Sequence, residues 1–344
     1  MIENSEAWWK GELKRPLMQF YIPGRDPERP EPSVPFNPIT AFYDRSVSAE
    51  EIVDAWDYQL ACTEFLGDAF PYVWPNFGPG VTAAFVGANL ELGNNTVWFH
   101  PNHIEEITHL DFKFDPDNYW FLRIKDICKA AAERWNGSVQ VSTTDIGGAL
   151  DIISSFRPAE NLLFDLVDDP DTVKRLTWQV HDIWWSYFEE FAVLMEKTNP
   201  GFTSWTPIFS KGSSYMLQCD FSAMISPDMF EEFALPELQA SCKRMVNPFY
   251  HLDGPGEIPH LDHLLSISEL KGIQWVPTKG PADMKNWPEL YRKIRNAGKL
   301  IQIAGTPDVL DAVVEQLGSG EGIVFIGTAD SADAAMECLR RHGA

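Results

Sequence analysis

The sequence predicts a closed parallel (β/α)8 barrel, a TIM-type fold with an N-terminal arm. Three observations predict it. Eight short, continuously apolar runs recur along the chain, stretches of helical periodicity separate them, and no Gly-x-Gly-x-x-Gly follows a strand to favour an open doubly wound sheet. A length of 344 residues suits one such barrel with additions. No Ser/Gly-rich or charge-rich linker divides it. Residues 1–46 read as the N-terminal arm, first strand and irregular loop of this domain, and residues 47–344 as the rest of the barrel.

The elements follow in order. Trp8 and Trp9 sit on an amphipathic segment, and Leu17 to Ile22 form the first strand, leaving through Pro23-Gly24-Arg25. Pro-rich, charged residues 26–46 read as an excursion over the barrel mouth. Ser48-Ala-Glu-Glu51 is a capping box that opens a helix to about Leu66. The second strand is Ala69 to Trp74, a helix restarts over residues 81–87, and residues 94–118 read as loop. Asp117 to Trp135 has helical spacing, and Gly137 to Thr144 is the third strand, turning at Asp145 into a helix at Ala149 to Ser155. Thr172 to Lys197 is the longest helix. The fourth strand is Tyr215 to Asp220, with Ser226-Pro227 starting the next helix. Pro248 to Leu252, Gly272 to Val276, Lys299 to Ala304 and Gly322 to Gly327 complete the eight, with helices at Ile258 to Leu265, Asn286 to Ala297, Pro307 to Leu317 and Ser331 to Arg341 between or after them.

Composition excludes several function classes. A formal charge of −23, from 50 acidic against 27 basic residues, disfavours nucleic acid and anionic membrane, which need clustered Lys and Arg. No apolar run reaches the length of a membrane span, and the start lacks the basic and apolar regions of a secretion signal, so a cytoplasmic location is expected. Cys62, Cys128, Cys219, Cys242 and Cys338 are odd in number and widely spaced, as reduced thiols would be. Thirteen Trp and 22 Phe fit a core with a pocket for a flat or apolar ligand.

In a barrel, catalytic groups belong at the C-terminal ends of the strands. That rule selects Arg25, Trp74, Asn76, Asp145, Cys219, Asp220, His251, Asp253, Trp275, Thr306 and Thr328. Within this set His251 and Asp253 stand out. They are two apart on a strand, so they project to one face beside the Gly254-Pro255-Gly256 bend. Such a pair can ligate a metal, act as an acid/base couple, or only stabilise the turn. The other histidines carry less. His100, His103 and His109 match no zinc spacing and read as a solvated patch, and His260 and His263 read as helix surface.

Four stretches go further: Asn76-Phe-Gly-Pro-Gly-Val81 with Gly87, Asn161-Leu-Leu-Phe-Asp165 through Asp169-Pro170, Cys219-Asp220-Phe221 through Phe233 to Pro236, and Tyr250-His251-Leu252-Asp253-Gly254. With them, residues 50–340 resemble the uroporphyrinogen decarboxylase superfamily, whose members are TIM barrels. The chain looks most like its cobalamin-dependent methyltransferases, which act on methanol, methylamines, coenzyme M and aryl methyl ethers. Those relatives carry His-x-Cys after the fifth strand and a Cys after the eighth, which together hold zinc. Here His251 matches the histidine, but Asp253 stands at the first Cys, and Gly327-Thr328-Ala329-Asp330 has no Cys. The resemblance therefore implies a harder zinc site made of His251 and Asp253 with Cys219, Asp220 or Asp330. The decarboxylase branch has an arginine-rich loop after strand one, of which Arg25 alone remains.

The expectation is an enzyme that moves a methyl group from oxygen or nitrogen of a small substrate to cobalamin carried by a partner corrinoid protein. His251, Asp253 and Asp220 are the expected catalytic groups. Arg25, Trp74, Asn76, Asp145, Cys219, Trp275 and Thr328 are expected to contact substrate. A cofactor-free decarboxylase of a small carboxylate is the alternative, and a homodimer is possible on either reading.

Overall fold

The computed structural model describes all 344 residues. Its centre is a seven-stranded sheet in which parallel pairs run from one edge almost to the other. Strands are numbered along the chain: β1 Leu17–Pro23, β2 Thr63–Gly67, β3 Tyr72–Val73, β4 Asn89–Leu92, β5 Val97–His100, β6 Gln140–Val141, β7 Met216–Leu217, β8 Phe249–Asp253, β9 Gly272–Val276, β10 Leu300–Gly305 and β11 Ile323–Gly327. The sheet order is β2-β1-β11-β10-β9-β8-β7, and β3 pairs with β6 in a separate parallel ladder.

The architecture is therefore mixed α/β and barrel-like, but its hydrogen-bonded ladder does not close as expected. The physical reason lies at β2. The expected helix over residues 49–66 ends at Ala61, and Thr63–Gly67 turns back as a strand antiparallel to β1. It takes the edge of β1 that a closed parallel barrel would give to β3. The second gap lies between β6 and β7. Tyr215 crosses it, its hydroxyl accepting from the Ile146 N–H at 2.8 Å, and the loop before β7 enters alongside as Thr143 N–H donates to Thr203 O at 3.0 Å.

The four strands β8 to β11 are the regular part of the sheet. Each parallel partner is in register, so side chains at one level point the same way: His251 pairs with Gln274, and Gln274 with Gln302. The alternate residues Tyr250, Leu252 and Trp275 enter the main hydrophobic core. Helices cover that side, among them Pro288–Asn296 and Pro307–Leu317, which pack against β10, while Pro170–Met195 buries Trp184, Trp185, Tyr187 and Phe188 elsewhere in the same core.

Two expectations about local structure change. Residues 89–100 form a β4–β5 hairpin, with His100 at its end, in place of the loop expected from residue 94. His260 is fully buried, not at a helix surface: its ring stacks on Phe230 at 4.5 Å and its Nε2 bonds Ser222 O at 2.8 Å. No helix is long and apolar enough to cross a membrane.

Candidate active site

At the C-terminal ends of β3, β6, β7 and β8 the chain encloses a cavity of about 250 Å³. Trp74, Asn76, Asp145, Trp205, Gln218, Asp220 and His251 contribute to its wall. Strand alternation brings His251 and Asp253 to the same side, and the chain leaving β7 adds Asp220. One ligand-capable atom of each of these three residues lies within 4.8 Å of the other two.

His251 is held from two sides. Its Nδ1 is hydrogen-bonded to Gln274 Oε1, an acceptor, so Nδ1 carries the hydrogen and Nε2 is free for chemistry. Trp205 meets the ring edge to face at 5.8 Å. The signal for Gln274 was present in the sequence: it is the one polar side chain inside the apolar run Gly272-Ile-Gln-Trp-Val276, and its parity places it in the lumen. Trp205 left no such trace, because it comes from an irregular loop.

The carboxylates form the second half of the site. Burial pushes the Asp145 carboxyl up to about 6, against N–H donation from Gly147 at 2.9 Å. Tyr215 and Gln218 also reach the same oxygen, at 3.4 and 3.3 Å. Burial likewise raises Asp151 and Asp220, and repulsion adds to it: Asp220 acts on Asp151, while Asp253 and Asp145 act on Asp220. Asp151 accepts the backbone N–H groups of Asp220 and Phe221 at 3.1 and 2.7 Å, which fixes the start of the turn after β7. Behind them, burial and then the Asp220 and Asp151 charges push Glu257 up to about 10, so it is a neutral acid near pH 7. Several acidic groups are therefore poised to hold protons or balance a cation.

Other expected positions lie elsewhere. The Cys219 side chain turns into the core, where burial foremost raises its thiol well above the ordinary range, so it belongs neither to the cavity wall nor to the donor cluster. Trp275 is fully buried on the helix side of β9, packed on Trp287 at 4.9 Å, because its parity is opposite to that of Gln274. Arg25, Thr328 and Asp330 are exposed at strand exits and line neither this cavity nor the cluster. Thr306 occupies the N-cap position of the helix Pro307–Leu317, where its hydroxyl donates to the Asp308 carboxylate and not into the cavity.

One imidazole nitrogen and two carboxylate oxygens within 4.8 Å of one another are a hard donor set of the kind that suits a divalent ion. The residues fit a metal, then, but not a thiolate-rich zinc centre.

No family model matches the chain, and no curated protein sequence matches it. Its fold is shared with a methyltransferase from Methanosarcina mazei. The likeness covers 99% of this chain and 97% of the other, with a TM-score of 0.61 and 12% identity. At that identity it speaks for the fold: the same path of elements accommodates a different set of side chains.

Proposed function

We propose that the protein is a methyltransferase that removes a methyl group from an oxygen or nitrogen of a small substrate and passes it to the corrinoid of a partner protein. The observation that carries the proposal is the convergence of Asp220, His251 and Asp253 at a cavity mouth where acidic groups hold protons toward neutral pH. Demethylation needs the departing heteroatom to be made a better leaving group as the methyl carbon is attacked, through a proton or a Lewis acid. His251, whose hydrogen sits on Nδ1 against Gln274, keeps the Nε2 lone pair free as an acceptor or metal ligand, so the proton for that heteroatom comes from a buried carboxyl. Asp220 and Asp253 flank the imidazole, and Asp145 faces the same cavity with a proton available up to about pH 6. A divalent cation held by Asp220, His251 and Asp253 would supply Lewis-acid polarisation of the same atom.

The decarboxylase reading has less support. An anionic substrate would meet Asp145 and Asp220 in the cavity wall, with no Lys or Arg among the lining residues. The test is an assay of the purified protein with a corrinoid protein and a panel of methoxylated and methylamine substrates, read as methylcobalamin formation. The expected result is turnover of at least one substrate and a loss of a hundredfold or more in His251→Ala. Absence of methylcobalamin across the panel, or full activity in that variant, overturns the proposal.

A further inference from the structure

Behind Trp74 and Asn76, which line the central cavity, lies a second cavity of about 360 Å³ that these same two residues also line. It exists because of the break in the ladder. β2 pairs with β1 but not with β3, and the space between them is framed by Tyr21 of β1, Phe65 of β2, Tyr72 of β3 and Trp56 of the helix Ala49–Ala61. Tyr21 already stands edge to face against Phe65 at 5.8 Å and Tyr72 at 5.6 Å, the arrangement aromatic rings prefer.

The chemistry of the two cavities differs sharply. None of the thirteen residues lining the aromatic chamber is charged, whereas Asp145, Asp220 and His251 line the central one. In a chain with 22% charged residues and a net charge of −23, such a neutral wall selects against ions and for apolar, polarisable surface. Size agrees: an engineered cavity of roughly 150 Å³ takes up benzene, so this chamber has room for a substituted or fused ring. Trp74 adds a direction: as a wall shared with the central cavity, it leads from this chamber toward Asp145 and His251.

We infer that the chamber is a second subsite that takes a neutral planar ring, with the reacting substituent of the ligand reaching past Trp74 to His251. The placement of the reacting end rests on the methyl-transfer reading; ring binding does not. The step at this subsite is binding alone, so no bond changes there.

The test is calorimetric titration with 2-naphthol and with decahydro-2-naphthol, which has the same carbon skeleton and hydroxyl but no π face. Binding of 2-naphthol at least tenfold tighter is expected. Leu60→Trp fills the chamber from the helix side and should weaken 2-naphthol at least tenfold; Gln59→Trp at the rim serves the same purpose should Leu60→Trp fail to fold by thermal melt. Equal binding of the two alcohols, no binding of 2-naphthol, or unchanged affinity in a folded filling variant overturns the inference. Retained ring binding in a protein that transfers no methyl group would count against the proposed reaction and leave the subsite standing.

Discussion

Asp145 shows what a buried carboxyl does to this protein on its own. Its folded value of about 6 exceeds the unfolded value of about 3.9, so the folded state binds the proton more tightly. The contribution is fully favourable below pH 4 and is lost as pH rises through 6, with an upper bound of about 3 kcal/mol. Asp145→Asn keeps an oxygen for the Gly147 N–H and cannot ionise. Relative to the parent it should therefore gain about 1–3 kcal/mol between pH 4 and pH 7 in urea unfolding. A difference that does not vary with pH would refute this. Gln274 makes a second case. Gln274→Leu removes the acceptor that holds Nδ1 of His251, and a partner of this kind is commonly worth about 10–100-fold in activity. Gln274→Glu, which retains an acceptor, should restore most of that loss in the methylcobalamin assay; an inert Gln274→Leu would show that the ring is held by packing alone. At this scale the sequence was readable wherever strand parity decides direction. It placed His251 and Asp253 on one face, and the same rule, applied to β9, separates Gln274 from Trp275. Cys219 was unreadable, because it lies past the end of β7, where the chain has left strand geometry and i, i+2 logic no longer applies.

Among the elements, the regular strands β8 to β11 were legible because each is an apolar run bounded by Gly or Pro, and their observed limits lie within one residue of those read from sequence. β2 was hidden by the helix before it. Thr-Glu-Phe-Leu-Gly continues the apolar spacing of residues 49–61, and only the pairing with β1 decides its state. The β6–β7 gap is closed by contacts that carry no pattern in the sequence. A Cβ on Gly148 would stand 2.2 Å from Gln218 O across this gap, and on the β3 side of the same turn Gly147 has φ +74 and a Cβ there would stand 2.6 Å from Gly80 Cα. The Tyr215 hydroxyl supplies the hydrogen bond that a neighbouring strand would otherwise provide. Tyr215→Phe strands the buried Ile146 N–H and should cost about 1–3 kcal/mol. Gly147→Ala adds backbone strain to a main-chain clash and should cost more, in the range of the largest single-site effects, about 4 kcal/mol. Both are measured by denaturant unfolding. If Gly147→Ala proves milder than Tyr215→Phe, the close approach of residues 80 and 147 is not what holds the chain leaving β6 against the chain leaving β3.

Across the whole molecule, the site at one end of the sheet is supported by a plug at the other. The helix Ile2–Trp9 places Trp8 in a small cluster with Leu17, Ile208, Met216, Phe249 and Val324, while Trp9 donates its Nε1–H to Phe209 O at 2.8 Å. Arg15 then grips Asp68 with both terminal nitrogens at 2.6 and 3.0 Å, and Asn4 joins at 2.7 Å. Burial alone would raise Asp68, but Arg15, Asn4 and the Met18 N–H outweigh it and hold its carboxyl below the ordinary range. Its contribution therefore runs opposite to that of Asp145: it is present at neutral pH and lost as pH falls through the folded value. Phe249, under Trp8 at 6.1 Å, is two residues before His251 on the same strand, so the floor and the site share one element. Trp8→Ala empties a fully buried site and should cost about 3–5 kcal/mol. The lower half of that range is expected, since the indole Nε1 of Trp8 has no partner to lose. Affinity for 2-naphthol at low temperature should stay within twofold, because the chamber meets β1 at Tyr21, four residues along the strand from Leu17 of this cluster, and shares no residue with it. Urea unfolding and calorimetry decide together: a cost under about 1 kcal/mol would mean the arm merely rests on the sheet, and a large loss of ring binding would mean that floor and chamber form one cooperative unit.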